Sequence, residues 1–329
     1  HRLDPSINEN PATFTEIGSI DIGDIGAAEI SAYDPVTGRL FVVNNFVTNN
    51  NPVHKIDVID MSNPSAMKVI ASISMAPYGG AVNSLSVYNG KLAAAIESLN
   101  KQENGKVAVF NTIDYKELKV ISVGALPDMI TFSPDGRFII TANEGEPNDA
   151  YTIDPLGSVS IISVEDNYSV VNLDFSPFAP QQAALMAKGL RIFGPTANPD
   201  FARNIEPEYV TVSDDSKTAW VTLQENNAIA KINLTSKSIT AIFPLGFKNY
   251  NLDMNAIDVS DQDNAIALKK WPAFGMYQPD GISVIETGGV PYLFTANEGD
   301  AREYTGFTEM RRVSSNATVL DPAIFPNAA

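Results

Sequence analysis

One sequence pattern occurs five times along this chain of 329 residues, and that repetition constrains the fold more than any single motif. The clearest copies are "PDMITFSPDGRFIITANEGE" (residues 127–146), "PEYVTVSDDSKTAWVTLQEN" (207–226) and "PDGISVIETGGVPYLFTANEGD" (279–300). Weaker copies are "EISAYDPVTGRLFVVNNF" (29–46) and "NSLSVYNGKLAAAIES" (83–98). Each copy reads as a short strand, a tight turn with a signal such as Asn-Gly or Asp-Gly, and a second apolar strand. This order predicts a β-hairpin.

Most copies continue into two further apolar segments, such as "GKVAVFNT" and "KELKVISVG" after the second copy. Four antiparallel strands that recur about every 45 to 50 residues are typical of β-propeller blades. The sequence therefore predicts an all-β fold, a β-propeller with four-stranded blades. A β-sandwich is the alternative, but it gives no reason for the same side chain to occupy the same register in five hairpins.

Two insertions interrupt the repeats, at residues 178–204 and 247–278. The first contains "QQAALMAKGL", which predicts a short helix that ends at Gly189, followed by "RIFGPTANPDF", which reads as a loop. The second is rich in Asp and Asn and is expected above one face of the propeller. Connections of this length commonly bind ligands or cover a channel.

The fifth copy is not followed by its outer strands, and residues 13–22 read as a lone outer strand near the other end of the chain. Five blades are visible, and six or seven are expected in a closed ring. We therefore expect residues 1–329 to form a single β-propeller domain that lacks C-terminal blades. A C-terminal fragment of the same precursor, or a second copy of this chain, is the expected partner that completes it.

The chain is strongly acidic, with 39 Asp and Glu residues against 22 Lys and Arg residues and a formal net charge of −17. This charge repels phosphate backbones, so nucleic acid is not an expected partner. No apolar run is long enough to cross a membrane. The absence of cysteine excludes disulfides and thiolate metal sites. Acidity without cysteine fits a secreted, periplasmic or cell-surface protein, and an acidic cytosolic protein is the alternative.

The repeats place acidic and amide residues at matched positions. In a propeller the start of each first strand and the end of each second strand emerge on the same face. The first-strand positions are Glu29, Asn83, Asp128, Glu208 and Asp280. The second-strand positions are Asn45, Glu97, Glu144, Glu225 and Glu298. We therefore expect these ten side chains to surround one mouth of the channel.

Carboxylates crowded at one opening repel one another and become protonated unless a cation neutralises them. Oxygen ligands without nearby His or Cys favour a hard ion, Ca²⁺ before Mg²⁺ or another divalent ion. The eight acids of the mouth are therefore the predicted metal ligands. The alternative is that Asp and Asn cap turns while Glu forms a solvated rim, although this does not explain a Glu in the same register of four blades.

Further acids form local clusters in "EGEPND", "EGDARE" and "DVSDQDNAI". The secondary candidate ligands for a metal or another ligand are Glu146, Asp149, Asp258, Asp261, Asp263 and Asp300. The last motif resembles a shortened Ca²⁺-binding loop, and a solvated turn explains it equally well. Arg302 and Arg191 are candidates to bind a phosphate or carboxylate if they face the acidic mouth. Arg191 fits a surface salt bridge equally well.

Enzyme motifs are scarce, because the chain has two histidines and lacks the common nucleophile, zinc and phosphate-loop patterns. No catalytic residue is identified. Three functions remain open: a Ca²⁺-binding scaffold, a metal-dependent phosphoesterase in which clustered carboxylates hold the ions, and a protein-interaction propeller without metal.

Several longer strings resemble one known family: "LPDMITFSPDGRFIITANEGEPNDAY", "RIFGP", "EPEYVTVSDD", "LDMNAIDVSDQDNAI", "GMYQPDGI" and "TANEGDAREY". They are similar to the choice-of-anchor I family, which includes mesenchyme-specific cell surface glycoproteins and bacterial members described as alkaline phosphatase-like. The resemblance spans roughly residues 15–315. It implies an exported or surface-anchored propeller associated with calcium or phosphate metabolism, and it assigns no catalytic residue.

Overall fold

The computed structural model describes residues 11–23, 28–48, 51–197, 199–315 and 319–325. Four antiparallel sheets of four strands follow one another along this part of the chain, each with its strands in chain order. The first sheet contains β1 (Ala28–Asp34), β2 (Arg39–Thr48), β3 (Asn51–Asp60) and β4 (Lys68–Ser74). The second contains β5 (Val82–Tyr88), β6 (Lys91–Ile96), β7 (Asn104–Asn111) and β8 (Glu117–Ala125).

The third and fourth sheets repeat this arrangement. The third contains β9 (Pro127–Phe132), β10 (Phe138–Asn143), β11 (Ser158–Ser163) and β12 (Ser169–Asp174). The fourth contains β13 (Pro207–Val212), β14 (Thr218–Leu223), β15 (Ala228–Asn233) and β16 (Ser238–Pro244). Three two-stranded hairpins follow: β17 (Lys248–Asn249) with β18 (Phe274–Gly275), β19 (Pro279–Thr287) with β20 (Val290–Asn297), and β21 (Glu303–Tyr304) with β22 (Phe307–Thr308).

The hairpins of the repeats form where the sequence supplies residues that accept positive φ. Asn89 and Gly90 join β5 to β6 with φ of 42° and 76°, and Gly288 and Gly289 join β19 to β20 with φ of 59° and 76°. Positive φ at both central residues matches the right-handed twist of paired strands. These two-residue turns therefore set the register of the hairpins.

The core lies between successive sheets, where apolar residues of neighbouring sheets face each other. One cluster, which includes Phe41, Ile56 and Phe110, joins the first sheet to the second. The next clusters join the second sheet to the third and the third to the fourth. Trp220 and Ile282 join the fourth sheet to the β19–β20 hairpin. Sheets stacked face to face in chain order form a β-propeller, with four complete blades and a two-stranded fifth blade in the described residues.

The first insertion contains the predicted short helix and one helix that was not predicted. A 3₁₀ helix (Ser176–Gln181) leads into α1 (Gln182–Met186), and Gly189 has a φ of 106° just beyond it. The loop predicted for residues 191–201 ends at α2 (Phe201–Asn204), a helix that the sequence did not predict. The Asp200 side chain accepts a hydrogen bond from Arg203 N at 3.0 Å and caps this single turn.

The strand predicted in residues 13–22 does not form. Residues 14–22 have no strand, and the Asn44 side chain donates to Ile22 O at 2.8 Å. An extended segment forms a β-ladder only when a second strand pairs with it. The second insertion forms β17, β18, a 3₁₀ helix (Asp253–Asn255) and a single bridge between Ile257 and Lys269. Within the described ranges, no helix has the length and apolar character needed to cross a membrane.

The stacking of sheets predicts a large cost for truncating an aromatic residue between blades. Phe110 is 1% exposed and contacts the edge of Tyr78 at a centroid distance of 5.6 Å. We expect Phe110→Ala to lower the free energy of unfolding by about 3 to 5 kcal/mol in urea denaturation. Phe14 is 96% exposed, so Phe14→Ala should change it by less than about 0.5 kcal/mol. Equal losses of unfolding free energy in the two variants would contradict the placement of Phe110 in the core.

Candidate metal site

The first strand of each of the five repeats has a β-bulge close to its first residue. In β9, Pro127 pairs with Asn143 and Met129 with Ala142, so Asp128 is an extra residue in the ladder. The corresponding irregularities lie between Ala28 and Ser31, Val82 and Ser84, Pro207 and Val210, and Pro279 and Ile282. Glu29, Asn83, Asp128, Glu208 and Asp280 all lie inside these bulges. A bulge bends the strand and redirects a side chain, which places these residues at the rim.

The second strands end on the same side of the propeller. Glu97, Glu144 and Glu298 directly follow β6, β10 and β20, and Glu225 lies two residues after β14. Antiparallel pairing brings these ends beside the first-strand bulges, as the repeat alignment predicts. The Glu29 side chain lies outside the part of the chain that the structure describes.

Three of the predicted ligands come together. Asp128, Glu144 and Glu208 each place one carboxylate oxygen within 4.8 Å of the corresponding oxygens of the other two. All three side chains are half-buried, and the carboxyl groups of Glu144 and Glu208 share a hydrogen bond. We call these residues the carboxylate triad. It joins the third blade to the fourth at the channel mouth.

The backbone around the triad holds Glu144 in place. Glu144 N donates to Leu126 O at 2.9 Å and Gly145 N donates to Ala125 O at 3.2 Å. Gly145 has a φ of 71°, and a Cβ there would lie 2.7 Å from backbone atoms of Leu156 and Gly157. Gly145 is therefore required both because its φ is positive and because a side chain there would collide with the backbone of residues 156–157.

Burial and mutual repulsion raise the pKa values of two acids of the triad. Burial, followed by the charges of Glu208 and Asp128, raises the pKa of Glu144 well above its usual range. Burial raises the pKa of Glu208 from 4.5 to about 8, and the charges of Glu225, Asp128 and Asp280 add to this rise. The carboxyl groups therefore compete for ionisation.

Two further acids of the predicted set lie close enough to interact with the triad. Burial raises the pKa of Glu225 to about 7, although the nearby Arg302 opposes this effect. Burial and the charge of Glu298 raise the pKa of Asp280. The buried Oε2 atom of Glu225 has no hydrogen-bond partner among the described residues. The mouth therefore contains a carboxylate oxygen that lacks a donor.

A buried arginine lies next to this group. Arg302 is 3% exposed, and its guanidinium contacts Glu206 at 2.9 Å and Glu309 at 3.5 Å. It also donates to Phe193 O at 2.9 Å and Asn204 O at 3.0 Å. Sequence reasoning missed Glu206 and Glu309, because neither occupies a position that the repeats share.

The second predicted anion-binding residue is also engaged within the protein. Arg191 Nη1 lies 2.9 Å from Glu309 Oε2 and donates to Glu225 O at 3.2 Å. Together Arg191 and Arg302 thus contact carboxylates and carbonyls of the chain itself. Anion binding by these arginines stays a prediction.

On the first two blades the rim side chains connect neighbouring segments of backbone. Asn45 donates to Val82 O at 2.8 Å, and Asn83 donates to Pro127 O at 3.3 Å. Glu97 accepts from Ala81 N at 3.4 Å and contacts Lys101 Nζ at 3.4 Å. On the fifth blade Glu298 is exposed and accepts from Gln224 at 3.4 Å. These residues lie outside the triad.

Three of the secondary candidates lie in the second insertion and hold its backbone or a neighbouring arginine. Asp258 accepts from Ser260 N at 3.2 Å and Ala267 N at 2.8 Å, and Asp263 accepts from Ala265 N at 3.1 Å. Asp261 lies 2.8 Å from Arg312. These contacts are those of turns in an exposed loop.

The other secondary candidates lie in "EGEPND" (residues 144–149) and "EGDARE" (residues 298–303). Glu146 accepts from the Tyr304 hydroxyl at 3.0 Å, and Asp149 accepts from Thr305 N at 3.0 Å. The Asp300 carboxylate accepts from Ala301 N at 2.8 Å. The structure thus brings Glu146 and Asp149 into contact with the fifth repeat.

Solved structures similar to this chain include a β-propeller domain of Cps50 (Swd1) from Myceliophteria thermophila, with a TM-score of 0.44 and 10% identity. That match covers 68% of this chain and 56% of the other. Hydrazine synthase from Kuenenia stuttgartiensis has a TM-score of 0.42 and 13% identity, with 66% and 74% covered. A functionally unknown protein from Desulfotomaculum acetoxidans has a TM-score of 0.40 and 16% identity, with 65% and 54% covered.

This chain therefore spans just over half the length of the first of these structures. No curated protein matches the sequence significantly. The model of one protein family, described as the Choice-of-anchor I domain, matches residues 29–329. The chain belongs to the choice-of-anchor I family.

Proposed function

We propose that this chain is a secreted or surface β-propeller that binds a divalent cation, preferably Ca²⁺, through Asp128, Glu144 and Glu208. The observation that supports this most directly is the convergence of three half-buried carboxylates, with ligand oxygens within 4.8 Å of one another. Membership of a choice-of-anchor family supports the location at the surface or outside the cell. The role is binding or scaffolding at that location.

The energetics of the mouth favour a bound cation. Each acid of the triad is partly buried beside others of like charge, which makes the ionised state costly without a counterion. A cation reverses this balance because it attracts every carboxylate at once. The Oε2 atom of Glu225, which has no hydrogen-bond partner among the described residues, is a further uncompensated oxygen among the acids of the mouth.

The donor set favours Ca²⁺ over softer ions. The triad offers only oxygen, and the whole chain has no cysteine. Ca²⁺ accepts about six to eight oxygens in flexible geometry, so three carboxylates, some of them bidentate, together with water can complete its shell. Mg²⁺ requires a stricter octahedral arrangement and is the second choice.

A metal-dependent phosphoesterase uses the same carboxylates and also needs a cationic side chain to hold the phosphate. The arginines nearest the mouth contact Glu206 and Glu309, so the geometry favours cation binding over hydrolysis. Incubation of the protein with p-nitrophenyl phosphate and Ca²⁺, Mg²⁺, Mn²⁺ or Zn²⁺ separates the two functions. Turnover that Glu144→Gln abolishes would assign the esterase instead.

Removal of one carboxylate from the triad should weaken Ca²⁺ binding. We expect chelator-treated protein to release or absorb heat on titration with Ca²⁺, and Glu144→Gln to weaken the affinity at least about tenfold, because one charged ligand is lost. At a free Ca²⁺ concentration of 100 times the Kd, the native protein should gain about 2.7 kcal/mol of stability. Isothermal titration and thermal melting measure both effects.

Glu286→Gln is the matched control, since it makes the same chemical change at an exposed residue near the far end of β19. It should leave both the affinity and the melting temperature in Ca²⁺ unchanged. The proposal fails if the native protein shows neither heat nor a shift in melting temperature, or if the two variants lose affinity equally.

The raised pKa values also predict how stability depends on pH without metal. The pKa of Glu208 is about 8 in the folded chain against 4.5 ordinarily. Between these two pH values the folded state retains a proton that the unfolded state has lost. Its contribution to stability is therefore present below the ordinary pKa of 4.5 and is lost as pH rises toward about 8.

Glu208→Gln cannot ionise, so with a chelator its free energy of unfolding should fall less over this pH range than that of the native chain. Urea denaturation across the range measures this difference. Saturating Ca²⁺ should abolish the loss in the native chain, because the ion binds the deprotonated carboxylates. A steeper fall in Glu208→Gln than in the native chain, or identical profiles, would show that Glu208 is not the responsible group.

A further inference from the structure

The segment that follows the fifth repeat returns to the third blade. Residues 302–309, which we call the clamp, contain the β21–β22 hairpin and pack on the loop after β10. Thr305 N donates to the Asp149 carboxylate at 3.0 Å, and Gly306 N donates to Asp149 O at 2.8 Å. A Cβ on Gly306 would lie 2.4 Å from Ala150 O, so only glycine permits this approach.

The clamp is anchored at both ends and in its centre. Arg302 and Glu309 close it through a hydrogen bond from Glu309 N to Arg302 O at 2.9 Å and through their ion pair at 3.5 Å. Phe307 contacts the rings of Tyr151 and Phe193 at centroid distances of 5.6 Å each. This segment is thus a docked element with apolar, polar and charged contacts.

One clamp contact lies two residues from the carboxylate triad. The Tyr304 hydroxyl donates to Glu146 Oε1 at 3.0 Å. Gly145 separates Glu146 from Glu144, and its positive φ and close contact with Leu156 leave this short link little freedom. A change in the position of Glu146 is therefore expected to move Glu144, a member of the triad.

We propose that the clamp is a positioning element for the cation site: Tyr304, through Glu146, fixes the link that presents Glu144, so clamp docking and cation binding stabilise each other. This inference rests on the proposed function. Linkage requires the effect to be reciprocal, because each event favours the same conformation of residues 144–146. Tyr304 is a positioning residue and is not itself a metal ligand.

Amide hydrogen exchange of the native chain tests one direction of the coupling. Addition of CaCl₂ to chelator-treated protein should slow exchange at Thr305 and Gly306 at least about threefold, because both amides donate only while the clamp is docked. The Gly288–Gly289 turn belongs to the other end of the fifth blade and should not respond. Unchanged exchange at the clamp despite Ca²⁺ binding would overturn the inference.

Tyr304→Phe tests the other direction, since it removes the hydroxyl while keeping the ring that contacts Tyr151 at 5.7 Å. We expect Ca²⁺ binding to weaken about three- to tenfold, as for the loss of one typical intramolecular hydrogen bond. Tyr292→Phe is the matched control, because it removes a hydroxyl from a half-exposed tyrosine of β20 and should leave the affinity unchanged.

The outcomes separate this inference from the proposed function. Native affinity in Tyr304→Phe, or unchanged clamp exchange in a native chain that binds Ca²⁺, overturns the proposed coupling and leaves cation binding intact. Absence of Ca²⁺ binding by the native chain overturns both. If Tyr304→Phe fails to fold, the exchange experiment on the native chain decides alone.

Discussion

The need of neighbouring sheets to bury the apolar faces that they turn toward each other organises this molecule. An exposed apolar sheet face is unstable in water, and successive sheets here cover the faces that they turn toward each other. Stacking in chain order brings the equivalent ends of successive hairpins to one side. The position of a side chain relative to the channel is thus determined by its place in the repeat.

This arrangement gives the acids of the mouth their unusual environment. Asp128 lies at the start and Glu144 at the end of the first hairpin of the third blade, and Glu208 lies at the start of the fourth blade. Their three carboxyl groups meet within 4.8 Å. Side chains that are free to turn toward water would relieve this repulsion. The bulges and the fixed Gly145 restrict such movement, and the cost appears as the raised pKa values of Glu144 and Glu208.

Much of the fold and part of the site could be predicted from the sequence, because both follow the repeat. The turn that contains Gly136, with a φ of 72°, joins β9 to β10, and the register of this hairpin places Asp128 beside Glu144. Glu206 could not be found this way, since its contact with Arg302 depends on tertiary packing across 96 residues. Glu309 lies close to Arg302 in the chain but outside the repeated positions. The turn at α2 depends on a local cap at Asp200, and residues 14–22 lack a ladder partner despite their alternating pattern.

The recurrent bulge has a consequence for how such a protein diversifies. Because an additional residue occurs at the same place in each of five blades, the backbone provides five equivalent positions that accept different side chains. Asn83 occupies one of these positions and Asp280 another, so both amide and acidic side chains are accommodated. Single substitutions can therefore change the number of negative charges at the opening while the scaffold stays the same.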